Sequence, residues 1–249
     1  MTAASPFDRI AAGYDSLWTD TSIGRAQRDA VWRVTDRFFR RGDQILDIGC
    51  GTGSDAIYLQ RRGIHVTAID ASPAMVRIAH SRGVSATRLA VEELDKVTHI
   101  YDGILSNFGV LNCAASPEAM AASLARRLRP GGYAILCLLN RACVWEMAWF
   151  AVQLRIGTAL RRLRPHGAQA SLGLRVSYPA ARALRCAFAP AFELVESRGI
   201  GIFVPPSYVR LPAAAVRVAA RADRWMESLP LMRSIGDHRL FVFQRRLEC

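Results

Sequence analysis

The chain of 249 residues is 51% hydrophobic and 22% charged, which suits a folded globular domain and is too apolar for a disordered one. That length accommodates one sizeable α/β domain with a full core and falls short of two independent ones. The formal charge of +12 is lopsided: residues 1–140 carry 16 basic against 14 acidic side chains, and residues 141–249 carry 17 against 7.

Lys96 is the single lysine among the 33 basic residues, so the arginine excess reads as compositional bias before it reads as a surface built for phosphates. The six cysteines, Cys50, Cys113, Cys137, Cys143, Cys186 and Cys249, form no C-x-x-C pair and stand near no histidine at zinc spacing. Neither a disulfide framework nor a metal site is expected. The first residues lack the apolar stretch of a secretory signal, and no apolar run approaches the roughly 20 residues that span a bilayer; the nearest, 143–154, contains Glu146. A cytoplasmic location is expected.

In chain order, apolar residues at helical spacing, among them Ala26, Ala30, Val34 and Phe38, predict two N-terminal helices over 6–14 and 24–39. Arg40-Arg41-Gly42-Asp43 breaks the pattern. Strand-like and helix-like segments then alternate. Strands are predicted at 44–48, 64–69, 84–89, 101–106 and 133–139, with helices at 55–62 and 73–81, a short helical turn at 91–95, and a helix opened by Pro117 and closed by Arg129-Pro130-Gly131-Gly132. Ser72-Pro73 has the favoured order of N-cap followed by proline in the first turn.

After Asn140 the alternation stops. Residues 141–175 hold an aromatic, apolar helix and then clustered arginines, and are expected to form a lid insertion between strands five and six. A helix at 178–188, a strand at 192–202, a helix at 207–228 limited by Pro212, and a strand at 239–244 complete the chain, with 205–236 expected as a second lid segment. The fold expected is a single domain over 1–249: a Rossmann-like, doubly wound, mostly parallel seven-stranded sheet with helices on both faces.

The most informative stretch is Ile45-Leu46-Asp47-Ile48-Gly49-Cys50-Gly51-Thr52-Gly53, a buried strand running into a turn of alternating glycines. Asp70 follows at the end of the next strand, where a nucleoside-binding βαβ unit places a carboxylate for ribose hydroxyls. A dinucleotide fingerprint needs its third glycine where Ser54 stands, and no Lys or Arg lies between 45 and 60 to hold a pyrophosphate. NAD and FAD are therefore disfavoured.

Leu46 to Gly53, together with Ala68-Ile69-Asp70-Ala71-Ser72-Pro73-Ala74-Met75, resembles the class I S-adenosylmethionine-dependent methyltransferases. Tyr101 to Ser106 resembles that family's fourth strand, and Leu128-Arg129-Pro130-Gly131-Gly132 its turn before strand five. The resemblance covers residues 6–140 and recurs more weakly at 192–204 and 239–245. It implies S-adenosylmethionine as cofactor and S-adenosylhomocysteine as product. Gly49, Gly51 and Gly53 would make room for the methionine and ribose parts, Asp47 would hold the turn or the amino group, and Asp70 would take the ribose hydroxyls. Ala71 and Met75 would flank the adenine, near Val91 and Glu92, with Ser106 and Asn107 at the ligand edge. Tyr14 lies in a segment, Phe7 to Asp15, similar to the family's N-terminal cover over the cofactor.

Family members that methylate bases carry Asn or Asp followed by Pro-Pro and an aromatic residue after strand four. This chain has Asn107-Phe108-Gly109, so a nucleic-acid partner is not expected. The expected partner is a small-molecule acceptor, methylated on O or N by in-line transfer that relies on positioning. Tyr14, Asn107, Asn112, Trp145, Trp149 and Phe203 are its candidate contacts, although the aromatic ones suit a core equally well. Candidate proton acceptors are His166, His238 and Glu146, and the reaction needs none of them. Two alternatives keep the cofactor: cyclisation or aminocarboxypropyl transfer, and methylation of a lipid-like or quinone acceptor at a membrane surface. The oligomeric state is left open.

Overall fold

The computed structural model describes residues 5–113, 116–165, 167–169 and 173–247. Five parallel strands come first: β1 (Gln44–Ile48), β2 (His65–Asp70), β3 (Ala86–Arg88), β4 (Tyr101–Ser106) and β5 (Leu128–Leu139). A small separate hairpin, β6 (Ala168–Gln169) with β7 (Arg175–Val176), precedes β8 (Phe192–Ile200) and β9 (His238–Arg245). The seven-stranded sheet runs β3-β2-β1-β4-β5-β9-β8, with β9 antiparallel to both neighbours. This is the doubly wound, mostly parallel sheet that the alternation predicted.

The central strands read as continuous apolar runs because helices cover both faces. One face packs against α1 (Ser22–Phe38), α2 (Ser54–Gln60) and α3 (Pro73–Ser81) through Val31, Val34, Leu59 and Ala79. The other packs against α4 (Pro117–Ala125) and, later in the chain, the helix Ala181–Phe188, through Leu124, Leu184 and Phe188. Between β5 and β8 lie α5 (Val144–Val152) and α6 (Ile156–Ala159), then α7 (Ala181–Phe188); α8 (Ala213–Met226) lies between β8 and β9. Because β9 runs antiparallel, His238 at its start pairs with Leu139 at the end of β5, which brings it to the carboxyl edge of the sheet.

Several boundaries differ from the sequence-based expectation. The 6–14 helix is instead two 3-10 turns, Pro6–Arg9 and Ala11–Gly13, followed by a π-turn at Asp15–Thr19; Asp8 caps its own turn through Ser5 N–H and also reaches Ser72, while Asp15 reaches Thr52. The Arg129–Gly132 turn is drawn into β5, where the register slips between Tyr101 and Gly103. α7 begins only after Pro179, and Pro212 is the N-cap of α8, each proline excluding helix before it.

Candidate active site

The glycine turn is tied to the end of β2 by two bonds: Gly49 N–H and Cys50 N–H both donate to the Ile69 carbonyl, at 2.8 and 3.0 Å. Gly49, Gly51 and Gly53 hold φ of 76°, 54° and 86°, a region that side chains disfavour. Their surroundings separate their roles. A Cβ on Gly49 would sit 2.3 Å from Val110 Cγ2 and one on Gly53 would sit 3.0 Å from Val84 Cγ2, whereas one on Gly51 meets nothing within 4 Å. Gly49 and Gly53 therefore let the chain pack on itself, and Gly51 borders open space.

That space is a cavity of about 450 Å³ over the carboxyl ends of β1, β2 and β4. Tyr14, Gly49, Gly51, Asp70, Ala71, Met75, Val91, Glu92 and Asn107 line it; Asp47, Gly53 and Ser106 do not. Ser106 Oγ instead donates to the Ile48 carbonyl at 3.1 Å, bracing the two strand ends. Asp70 accepts from Gly51 N–H through Oδ2 and from Ser72 N–H through Oδ1, each at 2.8 Å. Burial pushes its pKa up while those two N–H groups hold it down. Each oxygen keeps a lone pair for a ligand hydroxyl. Asp47 is buried with Oδ2 unbonded, and burial and the nearby Asp55 carboxylate raise its pKa against the pull of Arg28. The size and this mix of apolar wall and carboxylate suit a nucleoside-bearing sulfonium of S-adenosylmethionine's dimensions.

The N-terminal segment closes one side. Asp8 Oδ1 accepts from Ser72 Oγ at 2.6 Å and Ala74 N–H at 3.2 Å, at the positive end of α3. Asp15 Oδ1 accepts from Thr52 Oγ1 at 2.7 Å, and its other oxygen pairs with Arg82. Tyr14 is held between these anchors.

A second cavity of about 260 Å³ shares Phe7, Tyr14, Arg28 and Phe108 with the first. The partition between them is braced by charge. Asp55 Oδ2 receives Arg28 at 2.6 Å and Asn107 Nδ2 at 3.1 Å, and its Oδ1 receives Trp32 Nε1 at 2.7 Å. Asn107 Oδ1 in turn accepts from Phe108 N–H at 3.0 Å. Phe108 sits at φ 52°, a conformation rare for an aromatic residue, and the Arg28 guanidinium lies 4.9 Å from its ring centroid. Asn107 thus borders the first cavity with its amide committed to Asp55 and Phe108.

The far wall of the second cavity is an ion cluster. Glu146 receives Arg161 at 2.7 and 2.9 Å, Arg162 at 2.8 Å and the Tyr208 hydroxyl at 3.3 Å. Burial opposes its ionisation, but the two guanidiniums prevail and lower its pKa. Arg162 also reaches Asp237 Oδ1 at 2.8 Å. His238 lies beside this cluster, its Nδ1 3.4 Å from Asp237 Oδ2 and its ring edge-on to Phe108 at 5.3 Å. Burial lowers its pKa, with Asp237 pulling the other way.

Not every candidate residue reaches a cavity. Trp145, Trp149 and Phe203 line neither: α5 turns Glu146 to the second cavity with Trp145 half-buried outside it and Trp149 exposed, and Phe203, whose N–H bonds Asp223, is partly exposed. Asn112 is buried, its amide bonded to the Leu139 and Ser177 backbones. His166 lies outside the described residues. Arg28, Asp55, Phe108, Arg161, Arg162, Tyr208 and Asp237 were not anticipated. A signal existed for Arg28, which shares the helix face of Val31 and Thr35.

Comparison with known proteins agrees with this geometry. A family model described as a methyltransferase domain matches residues 23–196. The chain is 31% identical over 137 residues to a demethylmenaquinone methyltransferase of Mycobacterium marinum, covering 54% of this chain and 58% of that one. It is 32% identical over 154 residues to a malonyl-[acyl-carrier protein] O-methyltransferase of Serratia marcescens, covering 60% and 58%. The chain thus spans less than two thirds of the length of these curated relatives. Among solved structures, the Haloferax volcanii methyltransferase seen with the Trm112 methyltransferase activator superposes with a TM-score of 0.65 at 18% identity, over 99% of this chain and 100% of that one. The glycine turn, the cavity at the carboxyl edge and the family match together place the chain among the class I S-adenosylmethionine-dependent methyltransferases.

Proposed function

We propose that the larger cavity holds S-adenosylmethionine and that the smaller one holds the acceptor, an O or N atom of a small metabolite with apolar or aromatic character. The shared wall of Tyr14, Phe7, Arg28 and Phe108 carries this reading, since it makes the two spaces neighbours across a few side chains. Bound cofactor supplies a methyl group already activated by its sulfonium, and the protein's task is alignment. Asp70 takes the ribose hydroxyls, Gly51 lets the ligand approach the backbone, and Ala71, Met75 and Val91 flank the base. Residues 141–175 and 205–236 act as lids, contributing Glu146, Arg161, Arg162 and Tyr208 to the acceptor cavity. Transfer to oxygen is in keeping with the relative named a malonyl-[acyl-carrier protein] O-methyltransferase.

In this reading His238 is the group that accepts a proton from a hydroxyl acceptor. Its lowered pKa leaves the imidazole neutral at pH 7, so a ring nitrogen is available to take the proton. Glu146, already serving two guanidiniums and a phenol, holds the wall.

Incubating the protein with S-adenosylmethionine and a panel of phenols, quinols and amines tests the assignment, with S-adenosylhomocysteine as the expected product. Methylthioadenosine instead would establish alkyl transfer or cyclisation. For a hydroxyl acceptor, His238→Gln should lower kcat/KM by about 10²-fold and remove the acid limb of its pH profile; an unaltered profile rules His238 out as base.

A further inference from the structure

The helix α5 is apolar on its outer as well as its inner side. Its sequence, VWEMAWFAV, contains one charged residue, and that residue, Glu146, is the only one of the helix that is buried. The outward stripe is Val144, Ala148 and Val152 at four-residue spacing, flanked by Trp149. A surface helix ordinarily shows water its polar side and the core its apolar one. The apolar surface continues around the turn into α6: Val152 is 86% and Leu154 87% exposed, and Ile156, Leu160 and Leu163 are exposed as well. Leu154 holds φ 56°, a left-handed conformation that a leucine adopts only at a cost. Scattered apolar side chains on a surface need no explanation, whereas a contiguous set on one hairpin marks an interaction face.

Charge identifies the occupant. Residues 141–191 contain eight arginines and a single acid, Glu146, which is buried and neutralised by Arg161 and Arg162. Arg141, Arg155 and Arg164 stand exposed around the hairpin, Arg141 bonding the Leu163 carbonyl at 3.3 Å and Arg164 the Gly157 carbonyl at 3.2 Å. An apolar face rimmed by cations with no exposed acid is complementary to an anionic lipid surface, where apolar side chains enter the acyl boundary and guanidiniums meet phosphates. A protein partner of ordinary composition would leave the arginine rim unmatched.

We propose that the α5–α6 hairpin, through Val152, Leu154, Ile156 and Leu160, docks the protein peripherally on anionic bilayers. The inner side of the same hairpin supplies Glu146 to the acceptor cavity, so docking sets that cavity against the lipid. No helix among the described residues is long and apolar enough to cross a membrane, which is consistent with attachment at the surface.

Co-sedimentation of the full chain with vesicles tests this. Binding is expected to phosphatidylcholine vesicles containing phosphatidylglycerol and to be weak on phosphatidylcholine alone, falling as salt is raised. The double variant Val152→Asp with Leu154→Asp should reduce binding at least tenfold, and Arg155→Gln and Arg164→Gln should each reduce it about fivefold. Absence of binding to anionic vesicles, or binding that the double variant leaves intact, overturns the proposal. So does a wild-type dimer in solution that the double variant converts to monomer, which would assign the face to a second copy. Calorimetry with S-adenosylhomocysteine on the double variant separates this from the cofactor assignment, since its affinity should be unchanged.

Discussion

Two charged regions border the paired cavities, and they are stabilised in opposite ways. At the glycine turn, Asp70 is satisfied by backbone N–H groups of Gly51 and Ser72, 19 and 2 residues away in sequence. Behind the second cavity, Glu146, Arg161, Arg162 and Asp237 satisfy one another across separations of 15, 16 and 75 residues. Backbone donors are fixed by the path of the chain and leave carboxylate lone pairs for a ligand. Mutually paired side chains are fixed only by packing, and they use their bonding capacity on each other. The first arrangement fits one shared cofactor. The second makes a wall whose polar groups are already paired with one another.

The contrast can be broken most forcefully at Glu146. Glu146→Ala leaves Arg161 without its bidentate partner and Arg162 half paired in a buried place, and should cost about 3–5 kcal/mol of stability in urea unfolding. Cofactor affinity should hardly change, and a parallel loss of both would mean that the two regions are one cooperative unit. The glycine turn sharpens it next. Gly49→Ala meets Val110 as well as a positive φ, and should cost about 2–3 kcal/mol, whereas Gly51→Ala meets only the φ penalty of about 1 kcal/mol. Equal losses in thermal melts would refute the separation of their roles. Asp70→Ala should weaken S-adenosylmethionine binding by about 1–3 kcal/mol through lost ribose hydrogen bonds, and an unchanged calorimetric affinity would place the nucleoside elsewhere.

The smallest effect is in pH. His238 has its pKa lowered below 6.5 by burial, so as pH falls through 6.5 the unfolded chain takes up the proton first. The stability tied to the neutral imidazole is present above pH 6.5 and is lost as pH falls toward the lowered value. Thermal melts between about pH 7.5 and 5.5 should show this slope, and His238→Gln should flatten it. Asp237, whose burial raises its pKa but which His238 and Arg162 together hold below the usual value, contributes in a lower window, losing its share only as pH drops below the ordinary carboxylate range.

Much of the first cavity was legible because its signals are local. Strand period, the Ser72-Pro73 start of α3 and the spacing of three glycines before Asp70 each depend on a few neighbouring residues, and the pattern locates all seven strands of the main sheet, although β5 begins at Leu128 and the β6–β7 hairpin carried no such signal. Even there, the individual tasks were not legible: that Gly49 yields to Val110 follows from a loop 61 residues later folding back over the turn. On the acceptor side the tryptophans Trp145 and Trp149 were natural candidates for a pocket wall. Helical periodicity specifies which residues share a face and is silent on which face turns inward. Two arginines from the 3-10 turn after α6 hold Glu146 inward, while Trp149 is exposed and Trp145 half-buried.

The sequence by itself determined the sheet, the glycine turn and the class of cofactor, because these rest on short-range stereochemistry and on apolar period. Only the tertiary structure decided the partition by Phe108 and Arg28, the His238–Asp237 pair at the carboxyl edge and the outward apolar face of α5. Each of these involves a buried charge whose partner lies elsewhere in the chain, Asp55 for Arg28, Arg162 for Asp237, and Arg161 and Arg162 for Glu146, and a buried charge left without its partner is too costly for the fold to keep.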